Sequence, residues 1–292
     1  MPGANPILPF LSSELFLVDD FGLQAWVQYR SYMEQVKAGF PPDKLGLYER
    51  KQASLPQIYT MDGDIQPLSK VSPEGSVAVI KLSGVMQDEG GLCTRGADDV
   101  EADFRRAYAD GGVDSILFEV NSGGGMASAG WRLNSVIKER NKPVLSYYRY
   151  SGSAALLASV ASDEIMGSQG SETGSIGAYI PIDKVLMAML AEDIEFVYAQ
   201  QSTQKNGPLM AALRGDYEPL RKQVTKTAAA FIKEVETFRP LNEAFKEDVL
   251  SGPMFSASEA KKRGLIDSTG TFTDGMKRAR LLGKRHKQNR NA

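Results

Sequence analysis

The chain has 292 residues, 42% of them hydrophobic and 24% charged, which suffices for a soluble core of one large α/β unit with appendages. A formal net charge of -2 gives no general reason to bind nucleic acid. The single cysteine, Cys93, excludes an internal disulfide, and the single histidine, His286, argues against a Ser-His-Asp triad, a Cys-His pair or a multi-histidine zinc site.

Residues 1–70 read as an N-terminal arm. The apolar run Ile7 to Val18 holds Ser12, Ser13 and Glu14, lacks a basic flank and does not read as a signal peptide. No stretch reaches the roughly 20 apolar residues that span a bilayer, so the expectation is a cytoplasmic protein without a membrane anchor. A helix is predicted from Asp20 to Lys37, carrying Phe21, Trp26, Tyr29 and Tyr32, after which Pro41, Pro42, Pro56 and Pro67 break the pattern. These aromatics cannot form a core alone, which predicts docking on a neighbouring subunit or an assembly partner.

An α/β domain follows over 71–283. Strands are predicted at Val77–Leu82, Ser115–Val120, Pro143–Tyr148, Glu164–Met166 and Ile194–Tyr198. Helices are predicted at Asp98–Tyr108, Ala127–Arg140, Ser153–Ala161, Ile182–Ala191, Tyr217–Thr237 and Leu241–Leu250. The alternation implies βαβ units around a mainly parallel sheet. Residues 284–292, with Lys284, Arg285, His286, Lys287 and Arg290, read as a basic disordered tail, the one place where nucleic acid could bind.

Four segments could carry chemistry. Gly123-Gly124-Gly125 follows a buried strand, and glycines leave backbone N–H groups bare for an oxyanion or a phosphate. The spacing fits neither a dinucleotide loop nor a Walker loop, so a plain strand-to-helix turn is the competing reading. Ser153 opens an apolar helix among small residues and is either a nucleophile or an ordinary cap. Glu172-Thr173-Gly174-Ser175-Ile176-Gly177 lacks the G-x-S-x-G form of a nucleophile elbow. Lys205 lies in the polar stretch Ser202 to Pro208 and is either a surface lysine or a base whose charging is suppressed by its surroundings.

Taken together, these segments resemble the signal peptide peptidase A (protease IV) family of serine peptidases, and within it the phage minor capsid protein C type of head maturation peptidase. The resemblance runs from Val77 to Asp267. It matches Ser122 to Gly125 to the family's Ser-Pro-Gly-Gly, Ser153 to its helix-opening serine and Asp163 to the acidic residue ten positions on. Thr173 to Gly177 match its Thr-Gly-Ser-Ile-Gly, and Lys205 its lysine. Phe255 to Ala260 and Gly264 to Asp267 look like its closing helix and strand. Gly123 stands where the family has proline, and Ala154-Ala155 where the cellular enzymes often have glycines.

The resemblance implies a crotonase-like or Clp-protease-like spiral of βαβ units with an N-terminal helical arm, assembled as a homo-oligomer. It implies a Ser153–Lys205 dyad, an oxyanion hole from Ala154 with Gly124 or Gly125, and Ser175 orienting the lysine. No cofactor or metal is implied. The substrate would be a protein or peptide, with scaffold or other capsid-assembly proteins favoured, portal proteins as possible docking partners, and the host cytoplasm or procapsid as location. Three alternatives stand beside it: a cytoplasmic enzyme degrading membrane-derived peptides, an idle structural capsid protein on the same fold, and a crotonase-like acyl-CoA enzyme using the same glycine amides.

Overall fold

A computed structural model describes residues 16–18, 55–62, 64–68, 72–90, 95–182, 184–193 and 195–291. The predicted helix Asp20–Lys37, with Trp26, and Cys93 lie outside the described residues. In chain order come β1 (Phe16–Val18), β2 (Gln57–Tyr59), β3 (Ile65–Pro67), β4 (Ser76–Met86), α1 (Ala97–Ala109), β5 (Val113–Met126) and α2 (Ala127–Lys138). Next are β6 (Val144–Gly152), α3 (Ala154–Ser159), β7 (Glu164–Gly167), β8 (Glu172–Gly174), α4 (Lys184–Asp193), α5 (Gly207–Leu213) and α6 (Glu218–Phe238). A 3-10 turn at Glu243–Phe245, α7 (Lys246–Leu250), β9 (Met254–Ser256), α8 (Ala257–Lys262), β10 (Ser268–Thr269) and α9 (Phe272–Asn291) complete the chain.

The sheet order is β10-β7-β6-β5-β4-β2-β3. Strands β4, β5, β6, β7 and β10 pair in parallel, and the β2–β3 hairpin caps the β4 edge in antiparallel fashion. Side chains alternate strictly between the two faces, as the pleat demands. Ala78, Ile80, Ile116, Phe118, Val144 and Tyr148 join α1, α2 and α3 in the larger core. Val77, Val79, Leu117, Leu145 and Tyr147 face α9 through Met276 and Ala279. Burial on both faces is why the strands read as continuous apolar runs.

Three expectations are corrected. The stretch 1–70 is not one appendage: β2 pairs with β4 through Gln57↔Val79, Ile58↔Ala78 and Tyr59↔Val77, and Ile58 is fully buried in the core. The sheet would otherwise expose the apolar edge of β4. Residues 284–291 are not a disordered tail but continue α9, with Lys287 paired to Asp114 at 2.8 Å and Glu74 at 3.0 Å. The helix already anchored by Met276 and Ala279 carries this run of helix-forming residues onward. No strand forms over 195–198: Val197 is 89% exposed and the Phe196 and Tyr198 rings stack on each other at 6.4 Å. An apolar run without a ladder partner has nothing to hold it as a strand.

Candidate active site

Strand β5 does not stop where its apolar run ends. It continues through Ser122 and the three glycines to Met126 because Gly124 and Gly125 adopt φ of 102° and 155°. At Gly125 a Cβ would sit 2.2 Å from the Met86 carbonyl oxygen, so a side chain is excluded by space as well. Buried Ser122 ties this end together. Its hydroxyl donates to the Gly84 carbonyl at 2.6 Å and accepts the Gly124 amide at 3.0 Å.

Ser153 follows β6 and stands at the N-cap of α3. It is 1% exposed, yet its side chain makes no capping bond. Its backbone lies at φ 54°, ψ -120°, far from the extended geometry of an ordinary capping residue. A non-glycine residue at positive φ is strained and persists only where its surroundings hold it. Two bonds do so: the Ser153 amide donates to the Gly174 carbonyl at 3.0 Å, and the Ser153 carbonyl accepts the Leu157 amide at 3.0 Å. The cap position is real, but the cap function is not served.

Strand β8 supplies the other wall. It pairs with β6 through Ser151↔Thr173 and Gly152↔Gly174, and the Thr173 hydroxyl donates to the Ser151 carbonyl at 2.9 Å. Ser175 comes directly after the residue that holds the Ser153 amide. It too has φ 54°, and its amide donates to the Pro253 carbonyl at 3.0 Å. Thus Ser153 and Ser175 are two strained serines on neighbouring chain turns. Pro253 was not singled out by the sequence; a Gly-Pro turn before a short strand was its only signal.

Helix α3 is buried along its whole length. The Tyr148 hydroxyl bonds Ser159 Oγ at 2.7 Å, and burial pushes that phenol's pKa up to about 12, so it stays neutral. Asn134 of α2 donates to the Leu157 carbonyl at 2.9 Å. As the first residue of α3, Ala154 has an amide without an intrahelical acceptor.

Lys205 stands apart. It lies on an exposed turn before α5, its amide donating to the Ser202 carbonyl at 3.1 Å. Among the described residues its side chain makes no hydrogen bond or ion pair with Ser153 or Ser175. The structure therefore brings together Ser153, Ala154, Ser175 and the end of β5, and leaves Lys205 on the surface of the single chain. Another lysine, Lys142, has its pKa lowered by burial against the Ala107 and Asp110 carbonyls. It precedes β6 while Ser153 follows it, so about 30 Å of strand separates them and Lys142 is structural. Asp163 serves that same far end, accepting from Arg140 Nε and Nη2 at 2.9 and 3.0 Å and from the Val144 amide at 2.8 Å. His286 sits in α9, on the sheet face opposite α3.

The model of peptidase family S49 matches residues 137–285, from the end of α2 into α9. The chain belongs to peptidase family S49. A Methanocaldococcus jannaschii protein with a provisional protease name is 29% identical over 178 residues, 59% of this chain and 57% of that protein. Protease 4 of Salmonella typhi is 26% identical over 72% of this chain and 35% of its own length. Capsid assembly protease C of Escherichia phage lambda is 26% identical over 68% of this chain and 48% of its own length. This S49 chain thus spans between 35% and 57% of the length of these three relatives. A ClpP1 mutant from Listeria monocytogenes overlays on 68% of the chain with a TM-score of 0.46 and 15% identity. Among the described residues no helix is long and apolar enough to cross a membrane.

Proposed function

We propose that this S49 chain is a serine endopeptidase with Ser153 as nucleophile and Lys205 as general base. The observation that carries the reading is the backbone of Ser153: buried, at positive φ, uncapped, and clamped by Gly174 beside Ser175. Neutral Lys205 takes the Ser153 Oγ proton as Oγ bonds to the peptide carbonyl carbon. The lysine ammonium then protonates the departing amine as the C–N bond breaks, and water cleaves the resulting ester. The free amide of Ala154, with that of Gly125, stabilises the oxyanion. Gly124 is the weaker donor, since its amide already serves Ser122 Oγ. Ser175 orients the lysine amine. Because Ser153 is enclosed and Lys205 exposed, assembly of the homo-oligomer brings the lysine to the serine and removes it from water.

The likeness to a phage protein named capsid assembly protease C supports capsid-assembly proteins, scaffold among them, as substrates. The test is cleavage of neighbouring capsid proteins by the purified full chain and by Ser153→Ala, Lys205→Ala and Lys205→Arg. Activity should rise toward alkaline pH along one ionisation, because lysine accepts a proton only as the neutral amine. All three variants should be inactive, arginine included, since it stays charged. Substantial cleavage by Lys205→Arg would assign the base elsewhere.

A further inference from the structure

The glycine end of β5 has two edges, and the pairing registers say what covers each. Strand β4 takes one, through Val85↔Gly124 and Met86↔Gly125. Strand β6 takes the other only as far as Ser122↔Ser151, then leaves to pair with β8 and turns at Ser153. Beyond Ser122, the edge of β5 on the Ser153 side is therefore open. Strand β1 fills it in antiparallel fashion, through Phe16↔Met126, Leu17↔Gly125 and Val18↔Gly124, and also packs beside α3. An open edge next to a nucleophile is where an extended peptide adds as a strand, gaining affinity from main-chain hydrogen bonds. The glycines leave that edge bare, and the antiparallel direction delivers the carboxyl side of the segment, Val18, to Gly124.

Resting on the peptidase reading above, we infer that residues 16–18 occupy the strand position of the peptide substrate, as a built-in competitor that must leave before a protein can be cleaved. The segment Phe16-Leu17-Val18 is apolar and rich in strand-favouring residues. Tethering gives it an effective concentration in the millimolar range, so three residues of modest affinity suffice. The N-terminal segment then sets a threshold: only substrates that outcompete it, by length or by being held on a shared assembly, reach Ser153.

The test is binding, not turnover. A fluorescein-labelled peptide copying residues 14–19 is titrated against full-length Ser153→Ala and against Ser153→Ala carrying Leu17→Pro. Proline at 17 removes a ladder donor opposite Gly125. If the segment covers the site at least about nine-tenths of the time, the proline variant binds the peptide at least about tenfold more tightly. Equal affinity, or no binding to the proline variant, overturns the inference. Should that variant fail to fold, hydrogen exchange on Ser153→Ala alone decides. Saturating peptide should speed exchange of the residue 16–18 amides, and unchanged rates, with or without detectable binding, overturn it. Failure of the peptidase reading shows separately, as cleavage that survives Ser153→Ala.

Discussion

At the scale of residues, the site is built on backbone conformations that side-chain identity does not announce. Ser153 and Ser175 share φ 54°, and each is held there by a carbonyl from another chain segment. Gly174, which holds Ser153, has φ 146°, and a Cβ on it would lie 2.2 Å from the Pro253 carbonyl oxygen. Gly174→Ala must push β8 from β9. It should lower stability by about 2–4 kcal/mol in a denaturant titration and abolish cleavage, since strain and steric conflict act together. Gly130 offers a milder perturbation. A Cβ there meets the Ala154 carbonyl oxygen at 3.0 Å and Leu157 Cδ2 at 3.2 Å. Gly130→Ala gains up to about 1 kcal/mol of helix propensity in α2, which offsets the crowding. It should leave the melting temperature nearly unchanged yet lower kcat by about tenfold or more, because α3 and the Ala154 amide are displaced.

At the scale of elements, polar ties at both ends of the strands position the site. Ser122 joins β4 to β5 at the Ser153 end, and Tyr148 ties β6 to α3 through Ser159. At the far end, Asp110 closes α1 by accepting from Ser72 Oγ at 2.5 Å and from the Ser72 and Gly112 amides at 3.1 and 3.0 Å. Burial alone would raise this carboxyl's pKa, but the three donors outweigh it and the net shift is downward. A folded-state pKa below the unfolded one contributes stability above the unfolded value, and that stability is lost as pH falls through the folded value. Ser72→Ala should therefore cost about 1.5–3 kcal/mol above about pH 5, as expected for a hydrogen bond to a charged group. The gap between variant and wild type should close in strongly acidic solution. Thermal melts across pH check both halves. A gap that widened below pH 4 would contradict the assignment.

At the scale of the whole molecule, the proposed dyad depends on a lysine that the single chain leaves exposed. The first half of α6, Glu218–Ala230, has no buried residue, and Lys205 stands on the turn before the neighbouring α5. If the dyad is completed between copies, Ser153→Ala and Lys205→Ala proteins, each inactive alone, should regain activity when mixed and allowed to exchange subunits. Mixed samples that stay inactive would place the dyad within one chain. In the proposed dyad, burial of Lys205 at a subunit contact would disfavour its charged form.

The order of strands and helices in the domain was legible in the sequence, because periodicity is a property of adjacent residues. Val77 to Leu82, Ser115 to Val120 and Pro143 to Tyr148 all became core strands, and Ser153 was marked by its small neighbours. The motif Thr173 to Gly177, the glycines after the apolar run Ser115 to Val120 and the near-absence of histidine sufficed to suggest a serine peptidase resembling signal peptide peptidase A. Only the tertiary structure decided whether Ser153 caps its helix or is strained free of it, which depends on Gly174, 21 positions away in sequence. It alone extended β5 through the glycines, joined β2 to the sheet, kept residues 284–291 helical and denied a strand to 195–198. It also seated Phe16–Val18 on the edge beside Ser153. The physical reason is common to all of these. The sign of a φ angle, the partner of a strand edge and the exposure of a lysine are set by contacts between residues far apart along the chain.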